Sequence, residues 1–460
     1  MIQNHKSDYL LLYRNLEKNE VFCKMVQLNE LIEEYQQYPD KTNNAEIRFA
    51  TTGLITDIFY LLLTYYTVNR PHLKDGWQDY LLNLIIADVN PFSTLAQKLT
   101  LEQMGQSYTI ATKADLCFLE DLFQLNWVML QNKLTNLELV DTNNLKKYSW
   151  DQLHLQTKAP TSQLEFHKNK LKDLFLASSC WSQMLPNLAR FYQSYGTGLM
   201  GQYWAFRTST VSPCPLVGID KPDPIQLEQL EGYEHIKEQL LSNTDKFISG
   251  LPANNVLLYG DRGTGKSSMV KALVHRFGSK GLRVVELTKA QLGILSDVIS
   301  LLKQYPQKFI IFIDDLSFED TESDYKELKA VLEGSLEVKP HNILIYATSN
   351  RRHLIKESFT DRSADPSRGE LRSNDTEQEK LSLSDRFGIT LVFPSPNQNE
   401  YLAIVKSIAE DRQIKIPEEQ LKHLALKWAL WQNGRSGRTA KQFVDNLEGD
   451  ILLQELHQKG

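Results

Sequence analysis

Residues 255–268 read NVLLYGDRGTGKSS. Asn255–Tyr259 is a short apolar run suited to a buried strand. From about Gly265 to Phe277 apolar residues return at three- and four-residue spacing, which predicts an amphipathic helix. Between the two, Gly260, Asp261, Arg262, Gly263, Thr264, Gly265, Lys266 and Ser267 fit the pattern G-x-x-x-x-G-K-[ST], with Ser268 next in line. Glycines there let the backbone curl so that successive N–H groups point inward, and the helix N-terminus adds partial positive charge at the same place. Such a cradle suits a triphosphate. Lys266 can reach its β- and γ-phosphates, and the Ser267 hydroxyl can ligate Mg²⁺. A Gly-rich turn that holds nothing is the alternative, and the strand before it and helix after it argue against that.

Working outward, the same alternation continues. LRVVEL (282–287), FIIFI (309–313), ILIYA (343–347) and ITLVF (389–393) are short, rich in Val, Ile and Phe with apolar residues on both faces, and separated by helical stretches. Runs of this kind suit parallel strands covered on both faces, so the region is expected to be a doubly wound α/β domain. FIIFI runs directly into Asp314 and Asp315, which puts two acids at the carboxyl edge of the sheet, where ligands bind. Asp314 would hold Mg²⁺ through water, and Asp315 would orient or activate the attacking water. Two surface acids at a strand end are the alternative.

The rest of the chain reads differently. Residues 1–208 are expected as a mainly helical N-terminal domain, with helical spacing over Met25–Tyr38, Asp115–Leu130 and Leu171–Tyr195. Residues 209–224 hold four prolines and no periodicity and read as a linker. The nucleotide-binding core is set at 225–394 and a helical lid at 395–460. The polar stretch 356–384 reads as a long disordered or functional loop.

Composition narrows the function classes. The 460 residues carry 51 Lys+Arg against 57 Asp+Glu, a net charge of −6, so no basic footprint for nucleic acid covers the whole protein. Four scattered cysteines form no CxxC and suggest neither zinc nor a disulfide framework. The greasiest stretch, Leu54–Val68, is too short to span a bilayer and is read as a buried helix in a soluble, cytoplasmic protein without a membrane partner. GTGLMG (196–201) matches a dinucleotide fingerprint, but a helix rather than a strand is expected before it, so it reads as a helix-end turn.

Several stretches together carry a family resemblance: LEGYEHIKEQLLSNTDKF (230–247), PANNVLLYGDRGTGKSS (252–268), FIDDLSFE (312–319), YATSNRRHL (346–354), SLSDRFG (382–388) and SGRTAKQF (436–443). The region 223–448 resembles an AAA+ ATPase module, most of all the bacterial ATP-binding family known as domain of unknown function 815. NPFS (90–93) resembles that family's N-terminal region more weakly. The resemblance implies a P-loop NTPase fold of the AAA+ type: a five-stranded parallel sheet with helices on both faces and a small helical lid. It implies ATP and Mg²⁺ as ligands. It also implies that Asn350 bridges the γ-phosphate and the water, and that Arg386 is an arginine finger acting on a neighbouring subunit's nucleotide. A head-to-tail or ring-shaped homo-oligomer would follow, an ordinary salt bridge being the alternative for Arg386. Arg438 matches the lid's phosphate-sensing residue, with Arg435 a nearby competitor. Leu230–Gln239 would lie against the adenine, through Tyr233 or Ile236.

One departure bears on turnover. The family pattern has Asp-Glu where this chain has Asp314-Asp315. Asp is one methylene shorter, which sets its carboxylate about 1.5 Å back from a glutamate's position. Glu319 could substitute. The expected function is therefore ATP binding, with Mg²⁺-dependent hydrolysis that remodels or assembles a protein client. A slow-turnover ATP-gated switch or scaffold is the alternative. A DNA-associated loader is a third reading, which no helix-turn-helix or basic face supports.

Overall fold

The computed structural model describes residues 10–37, 44–140, 145, 147–150, 163–209, 215–318, 325–333, 340–350, 383–432 and 434–459. The chain divides into two compact units, Met1–Gln202 and Tyr203–Gly460.

The described part of the first unit is helical, including Glu20–Gln37, Asn44–Tyr66, Gly76–Ala87, Gln106–Phe123, Trp127–Asn136, Gln163–Ala177 and Leu185–Tyr195. They share one core containing Trp77, Trp150, Trp181 and Tyr192. Local chemistry sets the breaks. Asn126 caps the helix that starts at Trp127, so the periodic stretch 115–130 spans two helices. Residues 171–195 likewise cross a break at 178–184 before Pro186 opens the next helix. Gly196 ends that helix at φ 82°, which is the helix-end turn expected of GTGLMG.

The apolar stretch 54–68 needs correction. Its helix runs from Asn44 to Tyr66. Ile55, Ile58 and Leu62 are buried while Phe49, Tyr60 and Leu63 are exposed. The helix is buried along one face only, and apolar side chains stand on the other. By length and composition alone, Ala45–Tyr66 could cross a membrane, with 22% of its most apolar window buried inside the protein.

The second unit is built on one sheet. Its strands are β1 (Ala205–Thr208), β2 (Leu216–Gly218), β3 (Val256–Gly260), β4 (Leu282–Leu287), β5 (Lys308–Ile313), β6 (Ile343–Ser349) and β7 (Ile389–Phe393). Their order is β2-β1-β4-β5-β6-β3-β7. All neighbours are parallel except β1 and β2. The five expected strands are all present, and β4 and β7 coincide with LRVVEL and ITLVF residue for residue. The sheet has seven strands rather than five because the last residues of the expected helical N-terminal domain supply β1 and the expected linker supplies β2. Leu216–Gly218 pairs antiparallel with Ala205–Thr208, which in turn pairs with β4. Prolines are tolerated beside so short an edge strand. β6 is buried along its whole length, so helices must cover both faces there.

This order positions the site. β6 lies between β3 and β5, and parallel neighbours stand about 4.8 Å apart. The segments leaving β3, β6 and β5 therefore emerge side by side at one sheet edge. Above them, helices Gln398–Asp411, Glu418–Trp431 and Gly437–Lys459 form a lid with its own core of Tyr401, Val405, Ala425, Phe443 and Val444. Residues 351–382, which hold most of the expected loop 356–384, and Glu319 lie outside the described residues.

Candidate functional site

A cleft of about 950 Å³ opens at that edge, between sheet and lid. Arg262 through Ser268, Asp314, Asp315, Asn350 and Arg438 all line it. Arg386 does not.

The loop after β3 takes its shape from two glycines in particular. Gly260 sits at φ 143°, and a Cβ there would stand 2.0 Å from the Phe393 carbonyl oxygen at the end of β7. Gly263, at φ 77°, passes under the lid, where a Cβ would meet Ser436 at 2.8 Å. No side chain fits either place. The helix Lys266–Phe277 then begins with its free N–H groups facing the cleft lining.

Lys266 folds back over its own loop. Its Nζ donates to the carbonyls of Gly260 at 2.9 Å and Asp261 at 2.6 Å, and to Asn350 Oδ1 at 3.1 Å. Burial pushes its pKa below the ordinary lysine value, and Arg438 adds to the push, while Asp261, Asp314 and Asp315 pull the other way. A buried ammonium held only by neutral acceptors is poised for an anion. Among the described residues the guanidinium of Arg438 has no hydrogen-bond or ion-pair partner, although its backbone N–H donates to Gly263 O at 3.2 Å. The lid is thus fastened to the loop and carries a second cation into the cleft. Arg435 does not line it, and donates to Gln398 Oε1 at 3.4 Å instead.

The acids meet the loop directly. Ser267 Oγ–H donates to Asp314 Oδ1 at 2.6 Å. Asn350 Nδ2 donates to Asp315 Oδ1 at 2.6 Å while its Oδ1 accepts from Lys266. Asp315 adopts φ 51°, which turns the chain off the straight strand path, and both acids line the cleft. No cluster of three or more His, Cys, Asp or Glu able to hold a metal exists among the described residues. The hydroxyl and carboxylate of Ser267 and Asp314 nevertheless fit a hard cation that takes few protein oxygens and draws the rest from phosphate and water, as Mg²⁺ does.

Two residues that sequence reasoning did not single out belong to the site. Thr348, on β6, donates its hydroxyl to Asp314 and accepts from the Asp315 N–H at 3.0 Å. The signal for it is strand register: Ile313 pairs with Ala347, so Asp314 comes to lie beside Thr348. Ser395, just beyond β7, donates its hydroxyl to Asp261 Oδ2, and its N–H reaches the same oxygen at 3.2 Å. That contact ties the phosphate loop to the strap leading into the lid. Ser395→Ala should speed release of ADP about fivefold, matching the loss of about 1 kcal/mol for one exposed charge-assisted hydrogen bond, as stopped-flow with a fluorescent ADP would measure.

At the far end, Tyr233 rather than Ile236 lines the cleft, with Ile225, Leu230, Ile404 and Ile408. Tyr233 holds φ 60°, packs its ring 5.0 Å from that of Phe393 and donates its hydroxyl to the Pro394 carbonyl. Burial, then Glu400 and Asp261, push that hydroxyl up to about 12, so it stays a neutral donor. Outside the cleft, Arg386 Nη2 pairs with Glu333 Oε1 at 2.6 Å, both side chains about a third exposed.

A family model described as "Protein of unknown function (DUF815)" matches residues 201–451. The proteasome-activating nucleotidase of Methanosarcina mazei is 32% identical over 146 residues, a match spanning 28% of this chain and only 35% of that relative. The chromosomal replication initiator protein DnaA of Limosilactobacillus fermentum is 20% identical over 346 residues, covering 69% of this chain and 71% of that protein. Among solved structures, the RuvB Holliday junction branch migration motor of Thermotoga maritima is similar at a TM-score of 0.37 and 16% identity, covering 50% of this chain and 67% of that one.

Proposed function

Since the chain belongs to the DUF815 family, within the AAA+ ATPases, we propose that it binds ATP with Mg²⁺ in this cleft and hydrolyses it to remodel or assemble a protein client. One observation carries the reading. Lys266, Asn350 and Asp315 form a continuous chain of hydrogen bonds from the phosphate loop to an acid, beside the Ser267–Asp314 pair. In this reading the loop amides and Lys266 hold the β- and γ-phosphates, and Ser267 and Asp314 hold the cation. Asp315 takes the proton of the attacking water, Asn350 orients that water, and Arg438 brings the lid's charge to the γ-phosphate. The cation, when bound, neutralises charge that develops between the phosphates. Calorimetry with MgATP together with a phosphate-release assay tests this: binding heat and catalytic turnover are expected, and the absence of both would overturn it.

A second reading, a slow ATP-gated switch, has its own support. The short Asp315 carboxylate is engaged by Asn350, and its backbone is held at φ 51°. Single-turnover hydrolysis with and without candidate clients separates the two readings.

Arg386 is assigned to a neighbouring subunit's nucleotide, in keeping with its position outside its own cleft. Specific activity should then rise with protein concentration, and Arg386→Ala should be slow at every concentration. If Arg386 serves only the pair with Glu333, the variant loses at most about 1 kcal/mol of stability and keeps its rate.

A further inference from the structure

We propose that Thr348 is the positioning residue of this site, whose hydroxyl fixes the Asp314–Asp315 pair for cation and water. The inference rests on the Mg²⁺–nucleotide reading above and goes beyond it by assigning a role to Thr348, which also lines the cleft.

Thr348 is 1% exposed at the end of β6. It grips three consecutive residues of the segment leaving β5. Its hydroxyl donates to Asp314 Oδ1, its hydroxyl oxygen accepts from the Asp315 N–H at 3.0 Å, and its carbonyl accepts from the Leu316 N–H at 2.7 Å. A backbone N–H can only donate, so the hydroxyl oxygen must be the acceptor there, and its single proton is left for Asp314. The direction of both bonds is therefore determined.

Two consequences follow for the carboxylates. Asp314 Oδ1 receives the Thr348 hydroxyl, the Ser267 hydroxyl at 2.6 Å and the Asp315 N–H at 3.2 Å. All three act on one oxygen, which locks the rotamer, and among the described residues Oδ2 has no hydrogen-bond partner. Asp315 lies at φ 51°, a left-handed conformation. Its N–H, shared between Thr348 and Asp314, holds that turn, and the turn presents its carboxylate to Asn350 at 2.6 Å. Threonine suits the task because a β-branched side chain on a strand has little χ1 freedom. Valine would keep the shape, leave the Asp315 N–H without its acceptor and remove one donor from Asp314.

The test is the Mg²⁺ concentration that half-saturates ADP binding, measured by calorimetry and repeated with Mn²⁺ by electron paramagnetic resonance. Thr348→Val is expected to raise that midpoint about tenfold, the scale of losing an outer partner of a metal ligand. ADP binding in EDTA should stay at the wild-type level, and Thr348→Ser should restore the midpoint. Thr348→Ala, which removes the hydroxyl without adding bulk, should match Thr348→Val and serves if the valine variant does not fold. The proposal is overturned if either hydroxyl-less variant keeps the wild-type midpoint, if Thr348→Ser is as impaired as they are, or if binding in EDTA falls in parallel. A wild-type protein that binds no Mg²⁺–ADP overturns the nucleotide reading, and this proposal with it. Normal wild-type binding matched by Thr348→Val overturns this proposal alone.

Discussion

Lys266→Ala is expected to weaken ATP binding about 100-fold and to leave the nucleotide-free protein as stable as the wild type or slightly more so. The first half follows from losing a charge-assisted contact to phosphate, worth about 1.5–3 kcal/mol, or roughly 10- to 150-fold in Kd. The second half follows from the direction of the pKa shift. Burial holds the folded-state value of Lys266 below the ordinary one. Between the two values the unfolded chain binds more protons than the folded one, so stability rises with pH across that window. Below the window the full penalty of burying the ammonium is present. Alanine removes the penalty, and water can satisfy the two loop carbonyls that lose a donor. Phosphates supply the counter-charge that Gly260 and Asp261 carbonyls do not, so nucleotide should bring the lysine back toward its ordinary value. Thermal melts with and without MgATP check both halves. The variant should melt at or above the wild-type temperature when free and gain almost nothing from nucleotide. Unchanged stabilisation by MgATP would falsify the placement of Lys266 on the phosphates.

The core strands were legible because they are short and mostly apolar, most of all β5 and β6, which are buried on both faces, a pattern that survives without any knowledge of what packs on them. Gly281 before β4 and Pro394 after β7 punctuate the chain sharply enough to fix those boundaries to the residue. β1 and β2 were not legible. Four and three residues long, they flank a proline-bearing stretch, and their pairing is set by the sheet edge rather than by their own pattern. The helix Asn44–Tyr66 misled for the opposite reason. Its composition is apolar nearly all round, while only one face packs, and a one-dimensional reading cannot tell the packed face from the open one.

Within the site, residues carried by a spacing rule were legible, and residues carried by strand register were not. Lys266, Ser267 and the two acids follow from local motifs. Thr348 and Ser395 act across strands, at sequence separations of 34 and 134 residues from the aspartates they hold. Adjacent residues on an extended strand point to opposite faces, so Asp314 and Asp315 could not both have served one cleft had the chain continued straight. The left-handed turn at Asp315 resolves that conflict. At that turn the Asp315 carboxylate accepts from Asn350 Nδ2 at 2.6 Å.

That geometry leads to the other large effect. Asp315→Asn is expected to slow ATP hydrolysis by about 10²–10³, the usual consequence of removing a general base, while ATP affinity changes little. Asparagine is nearly isosteric and tolerates φ 51°, so the turn and the Thr348 contact should survive. Its carbonyl oxygen can still accept from Asn350 Nδ2, which already donates to this position. What disappears is the proton acceptor. Lys266→Ala should lose bound nucleotide, whereas Asp315→Asn should retain unhydrolysed ATP, and chromatography of the nucleotide after a fixed incubation distinguishes them. The ATP-loaded variant is then the form in which to look for a client or a homo-oligomer, because it lingers in the state that precedes hydrolysis. Glu319→Gln is the necessary companion, four residues further along the chain. If it abolishes turnover while Asp315→Asn hydrolyses at the wild-type rate, the base is Glu319, and the Asn350–Asp315 bond orients the loop rather than the water.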